Sequence, residues 1–208
     1  MAARPRSFYV LAAVFGLFVL FLYGPVLTIL ILSFQGPGGG LTFPMRGVSL
    51  HWFRDLFGPQ SIGDIWGAFD RSLYLGLMVM VLTVVFAFLA GLAFRRRFKG
   101  ATLLFYIAVA SLIMPSVVVS LGIGAGFELL GIERTWYTSA LGAHLTWTLP
   151  FGLLIMFAVF NRFDPSYEEA ARDLGETALT AIFRVTLPLA APGIVAALLI
   201  CFTISLDE

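Results

Sequence analysis

Five long apolar runs divide this chain: Phe8–Phe34, Ser72–Phe94, Ala101–Phe127, Tyr137–Phe160 and Leu189–Leu206. Each can cross a hydrocarbon core of about 30 Å, which takes roughly 20 helical residues. None alternates with the two-residue period of a barrel strand, and lipid offers backbone N–H and C=O groups no partner, so the runs predict helices. The expected fold class is therefore all-α: a polytopic membrane protein with five transmembrane helices. Pro25, Pro115 and Pro150 fall inside runs and predict a kink or break at each. Gly122, Gly124 and Gly126 follow no strand, which excludes a dinucleotide loop and predicts close helix contact or fraying. The first run is too long for the apolar part of a signal peptide and reads as a retained span.

Composition agrees with this pattern. At 60% apolar and 12% charged residues, the 208-residue chain lies far from a water-soluble domain. A net charge of +1 without an extended basic stripe excludes a nucleic-acid partner. Cys201 is the single cysteine, which excludes an intrachain disulfide and a cysteine-based metal site. No metal site is expected, since His51 and His144 are too far apart along the chain to suggest a pair.

Charges between the runs set an orientation. The turn Arg95-Arg96-Arg97-Phe98-Lys99-Gly100 is strongly basic, and Arg4 and Arg6 precede the first run. Short basic segments stay on the cytoplasmic side. That places 1–7, 95–100 and 161–188 inside, with nine of the 13 lysines and arginines. Segments 35–71 and 128–136 fall outside and, with Asp207 and Glu208, hold seven of the 12 acids. The run Gly36-Pro37-Gly38-Gly39-Gly40 reads as a flexible turn at the start of the long outer loop. The expected division is an N-terminal span with its periplasmic loop, 1–71, and a membrane domain, 72–208. Five spans leave the C-terminus outside, and the expectation is a sequence lacking a sixth.

The polar stretch 161–188 predicts local structure of its own. Asp164-Pro165 suits a helix start, and Ser166 with Glu169 offers a capping box. Glu168 and Glu169 suit the positive helix end, and Gly175 allows the left-handed closing residue. A second helix is expected from about Thr177 to Thr186, with Pro188 breaking it from the last span. Ala170 and Ala171 keep one side flat, which suits either a partner backbone or an interfacial helix lying on lipid headgroups. Tyr167, Leu174, Leu179, Ile182 and Phe183 supply apolar contacts.

This stretch resembles the EAA loop of type I ABC-importer permeases. Glu169, Ala170, Ala171, Gly175, Ile182, Leu187 and Pro188 fall at that pattern's spacing. Leu112-Ile113-Met114-Pro115, His144-Leu145-Thr146, Leu149-Pro150-Phe151 and Ser205-Leu206-Asp207-Glu208 are similar to the second permease of spermidine/putrescine systems. The resemblance implies a bacterial inner-membrane subunit without bond chemistry or cofactor of its own, ATP being bound by a partner. Implied partners are a second permease, two cytoplasmic ATPase subunits and an extracytoplasmic solute-binding protein, all around the lipid bilayer. Glu169 would be the charged contact to the ATPase, with Glu168 its neighbour, and Ala170, Ala171 and Gly175 would satisfy the steric fit.

An independent argument points the same way. The five runs contain no Asp, Glu, Lys or Arg, whereas ion-coupled transporters usually keep carboxylates at mid-membrane, which favours an external energy source. The outer excess of acids favours a cationic solute. Candidate pathway residues are Asp207, Glu208, Ser116 and His144. Ser116 stands where polyamine permeases often carry an acid, which keeps another small amine or an unrelated solute open. The competing classes are a membrane scaffold and an intramembrane enzyme using Ser120 with His144. Neither needs the full spacing of the 164–188 pattern.

Overall fold

The computed structural model describes residues 5–58, 63–96 and 98–208. Arg4 and Arg97, two of the bases that orient the chain, lie outside them. The chain divides into two units, Met1–Ile65 and Trp66–Glu208.

In the first unit α1 (Arg6–Leu32) runs unbroken through Pro25, and a short α2 (His51–Phe57) follows. The expected glycine turn between them is built around one glutamine. The buried Gln35 side chain donates from Nε2 to the Gly40 carbonyl at 2.7 Å and accepts the Arg46 N–H on Oε1 at 2.8 Å. Gln35 also forms an antiparallel bridge with Val48, so the glycines close around a polar core.

The second unit is a bundle. Its elements are α3 (Ile65–Phe94), α4 (Ala101–Ala110) with a 3-10 turn at Ser111–Ile113, and α5 (Ser116–Leu129). A π turn at Trp136–Ala140 leads into α6 (Leu141–Phe160). Next come α7 (Ser166–Asp173), α8 (Ala178–Ala181), a second π turn at Ile182–Thr186, and α9 (Leu187–Asp207). Helical stretches 6–32, 65–94, 136–161 and 178–207 are each long and apolar enough to cross a membrane, and the pair 101–113 and 116–129 makes a fifth if counted as one span.

That pair is bent by 106° at Met114-Pro115. Met114 is extended, as the residue before a proline prefers, and Pro115 then caps α5. The expected break is there. Pro150, by contrast, lies within an unbroken α6. Its missing N–H frees the Thr146 carbonyl, and the Ser111 hydroxyl, which donates to Ala108 O at 2.8 Å, also approaches Thr146 O at 3.3 Å. A neighbouring side chain thus satisfies the freed group and the helix continues.

Helices α3, α6 and α9 meet at Val84, Ala87, Met156, Phe160 and Ala197. Small residues permit the approach: a Cβ on Gly152 would fall 2.7 Å from Thr83 Cγ2 and 3.2 Å from Ala87 Cβ. The polar groups of this seam pair with one another. Thr83 and Thr148 hydroxyls lie 2.8 Å apart, and Thr148 also lies 2.9 Å from the His144 carbonyl.

Candidate functional site

The 161–188 loop starts as its sequence requires. The Ser166 N–H donates to Asp164 Oδ1 at 3.0 Å, and this bond holds the Asp164 carboxyl below its ordinary range. After α7 the chain reverses at Gly175, whose φ of +91° is left-handed and strains any other residue. Thr177 then caps α8, accepting the Thr180 N–H at 3.3 Å.

Beyond this point the expectation of a break at Pro188 is corrected. Residues 178–207 form one continuous helical stretch. The π turn accounts for it: the Leu187 N–H reaches back five residues to the Ile182 carbonyl, so the bonding register has already slipped when Pro188, which lacks a donor, is reached. Pro188 occupies the first turn of α9, where prolines are tolerated. The second arm of the loop is therefore the beginning of the last span's helix.

Helix α7 turns one charged side chain, Glu168, inward and leaves Glu169, Arg172 and Asp173 exposed. Arg95, just past the end of α3, donates from Nη1 to Glu168 Oε1 at 2.6 Å, and the buried Thr186 hydroxyl donates to the same oxygen. The Arg95 guanidinium also lies 4.9 Å from the centre of the Phe163 ring and 5.6 Å from that of Phe160. Burial pushes the Glu168 carboxyl up. The two hydrogen bonds and the charges of Arg95 and Arg172 outweigh it and hold the group below its ordinary value.

Glu169 is exposed, as are Tyr167, Ala170, Leu174, Leu179 and Phe183. Ala171 is buried, which corrects the expectation that both alanines line one flat face. Neighbouring helical residues point about 100° apart, and here that step carries Ala171 inward while Ala170 stays exposed. Ile182 and Leu187 are half-buried and Pro188 is exposed.

At the other end of the unit the four candidate pathway residues come together. Ser116, His144, Asp207 and Glu208 line one cavity of about 650 Å³, joined by Ser120 and Ser139. His144 Nδ1 lies 2.8 Å from the Ser205 hydroxyl, so the bond recorded for the imidazole goes to α9 rather than to Ser120. Among the described residues no group of His, Cys, Asp and Glu is arranged to hold a metal ion.

Residues 83–208 match the family of binding-protein-dependent transport system inner membrane components. The chain belongs to this family. The permease is 31% identical to the spermidine/putrescine transport system permease protein PotC of Haemophilus influenzae, over 90% of this chain and 71% of that protein. It is 28% identical to the PotC protein of Escherichia coli K12, over 90% of this chain and 69% of the relative. It is 29% identical to the E. coli K12 putrescine transport system permease protein PotI, over 90% and 68% respectively. In structure it resembles a chain of a bacterial ABC transporter that imports the acidic polysaccharide alginate, with a TM-score of 0.68 over 99% of this chain and 74% of that one. At 20% identity that likeness establishes the fold alone.

For the permease, an all-α polytopic membrane fold and membership of the transport family are thus established. Sequence reasoning missed Arg95 and Thr186. In the sequence Arg95 is one of several basic-turn charges; its signal is its place directly at the end of an apolar helix, from which it can reach a neighbouring loop.

Proposed function

We propose that this chain forms half of the translocation pathway of an ATP-driven importer for a polyamine of the spermidine/putrescine class. It would work with a second permease, two cytoplasmic ATPase subunits and an extracytoplasmic solute-binding protein. The N-terminus and the 161–188 loop would face the cytoplasm of a bacterial inner membrane. ATP would be bound and hydrolysed in the partner, with no bond chemistry here.

The observation that carries this reading is the outward face of the loop. Tyr167, Leu174, Leu179 and Phe183 are exposed by 55–87%, and beside them Ala170 leaves room for a close backbone. An apolar patch of this kind, rimmed by Glu169, Arg172 and Asp173, suits a protein groove. Closure of the ATPase pair would pull on this patch and switch the spans between inward- and outward-facing states. Glu169 would supply the charged contact.

The cation reading rests on the cavity at the far end and on the names of the relatives. Two carboxylates, Asp207 and Glu208, with the hydroxyls of Ser116, Ser120 and Ser139, suit ammonium groups spaced along an apolar chain. Ser116 supplies a hydroxyl and no charge, so attraction would rest on the two acids.

The test is purification of the chain with whatever soluble subunits bind it, followed by an ATPase assay with the binding protein and spermidine. A stoichiometric nucleotide-binding subunit stimulated by spermidine supports the proposal. Absence of such a subunit removes it, and stimulation by another solute removes only the substrate. Gly175→Trp should leave insertion intact and abolish uptake, because bulk and a strained backbone there block seating of the loop.

A further inference from the structure

The coupling reading leaves one arrangement without a role: the inward ion pair beneath α7. Three separated parts of the chain converge on one carboxylate oxygen. Arg95 comes from the end of α3, Glu168 from α7 and Thr186 from the π turn that begins the last helix. Aromatic rings from the end of α6 and from the following loop, Phe160 and Phe163, hold the guanidinium from the side. The Arg95 and Glu168 side chains are only 21% and 15% exposed. The Thr186 side chain sits in a fully buried residue.

We propose that Arg95, Glu168 and Thr186 form the joint that fastens the coupling loop to the bundle, so that displacement of α7 is delivered to α3 and α9 together. Glu168 is then a positioning residue, and its neighbour Glu169 is the one that meets the partner. The physical reason is stiffness. Apart from the joint, α7 is held by the buried Ala171, by the Tyr167 ring against Phe163 and by its two flanking turns, and none of these is an ionic bond to α3. With the joint, a charge-assisted bond in a shielded site resists separation, because pulling α7 away leaves two unpaired ions. The π turn contributes by fixing the rotation of Thr186. Its hydroxyl is directed at Glu168 instead of a carbonyl of its own helix, the usual place for a helical threonine hydroxyl.

This inference rests on the coupling proposal for its functional meaning, and the experiment separates the two. The assembled transporter is prepared with its ATPase subunits as the native chain, Glu168→Gln, Arg95→Gln and the double variant. Uptake and ATP hydrolysis are measured in the same vesicles, and trypsin cleavage after Arg172 is followed in membranes. Both single variants should retain the ATPase subunit and hydrolyse ATP, yet transport about tenfold less solute per ATP. Cleavage after Arg172 should speed up by a similar factor. The double variant should be no worse than either single one, since removing both charges leaves neither unpaired.

Unchanged solute per ATP with unchanged cleavage in the single variants would overturn the joint. Additive losses in the double variant would overturn it too, because the residues would then act independently. Loss of the ATPase subunit from Glu168→Gln would make that carboxylate a partner contact and end the positioning role. If the native chain retains no ATPase subunit, the coupling proposal fails, and the cleavage rates still decide whether the joint holds α7.

Discussion

The seam of α3, α6 and α9 and the 161–188 loop handle polarity in opposite ways. In the seam the interior is apolar or small, at Ala87, Met156 and Ala197, and its hydroxyls are matched in pairs such as Thr83 with Thr148. Large apolar side chains such as Leu89 and Leu199 face outward. In the loop the carboxylate of Glu168 is inside, whereas Leu174 and Phe183 are outside. Outward leucine on a long apolar helix is what a lipid solvent demands and carries no functional message. Outward leucine beside a short helix that also bears Glu169, Arg172 and Asp173 lies outside the long apolar spans, so lipid contact along a span does not account for it. A protein partner is the cover proposed for it above.

The largest effect is expected where the seam is tightest. Gly152→Leu puts a branched side chain where even a Cβ would collide with Thr83 and Ala87. Overpacking at such a site costs about 3 kcal/mol, so the variant should be recovered mostly as aggregate. Detergent gel filtration and thermal unfolding read this, and a native-like profile would mean that α3 and α6 are not in contact there.

The second experiment sets one exposed leucine against another. Leu174→Ser in the loop should weaken binding of the ATPase subunit about tenfold, since a leucine buried in a partner contributes roughly 1.5–3 kcal/mol. Its unfolding temperature should not move. Leu199→Ser, also outward but within α9, should leave ATPase binding unchanged. Equal effects on binding would erase the distinction between the regions.

A smaller effect tests the seam's polar pair. Thr148→Val removes one partner of the Thr83 bond while keeping shape. Hydrogen bonds between membrane helices contribute about 0.6 kcal/mol. A modest loss of thermal stability is expected, shared by Thr83→Val, with the double variant showing less than the sum.

Legibility from sequence followed the range of the interaction. The apolar runs, the break before Pro115 and the left-handed Gly175 are set by neighbouring residues and are legible in the sequence, whereas Pro25 and Pro150 carry the same local signal and leave their helices unbroken. The burial of Ala171 beside an exposed Ala170 depends on what packs under α7, which no local pattern shows. The inward turn of Glu168 is not legible either: its partner Arg95 lies 73 residues away, and no local pattern distinguishes an inward acid from an outward one at the start of a helix. The same holds for Thr83 and Thr148, 65 residues apart. Pro188 misled because proline punctuates helices only when its missing donor is felt, and the π turn had already shifted the bonds.

The smallest effect near neutrality, and the one that sharpens the comparison most, concerns pH. Burial raises the Glu168 carboxyl, but the Arg95 and Thr186 bonds with the charges of Arg95 and Arg172 hold it below its ordinary range. A group depressed in the folded state contributes stability that is fully present above its unfolded value and is lost as pH falls through the folded one. Motion of α7 should therefore be flat from pH 8 to pH 6 and loosen only in the acid range, below where a free glutamate titrates. A spin label on Leu174→Cys can follow this selectively, because Cys201 is fully buried in α9. In Arg95→Gln the main opposing contributions disappear while burial remains, so the same loosening should shift to higher pH. An identical profile with and without Arg95 would mean that the inward carboxylate is not held by the guanidinium, and the inverted polarity of the loop would need another cause.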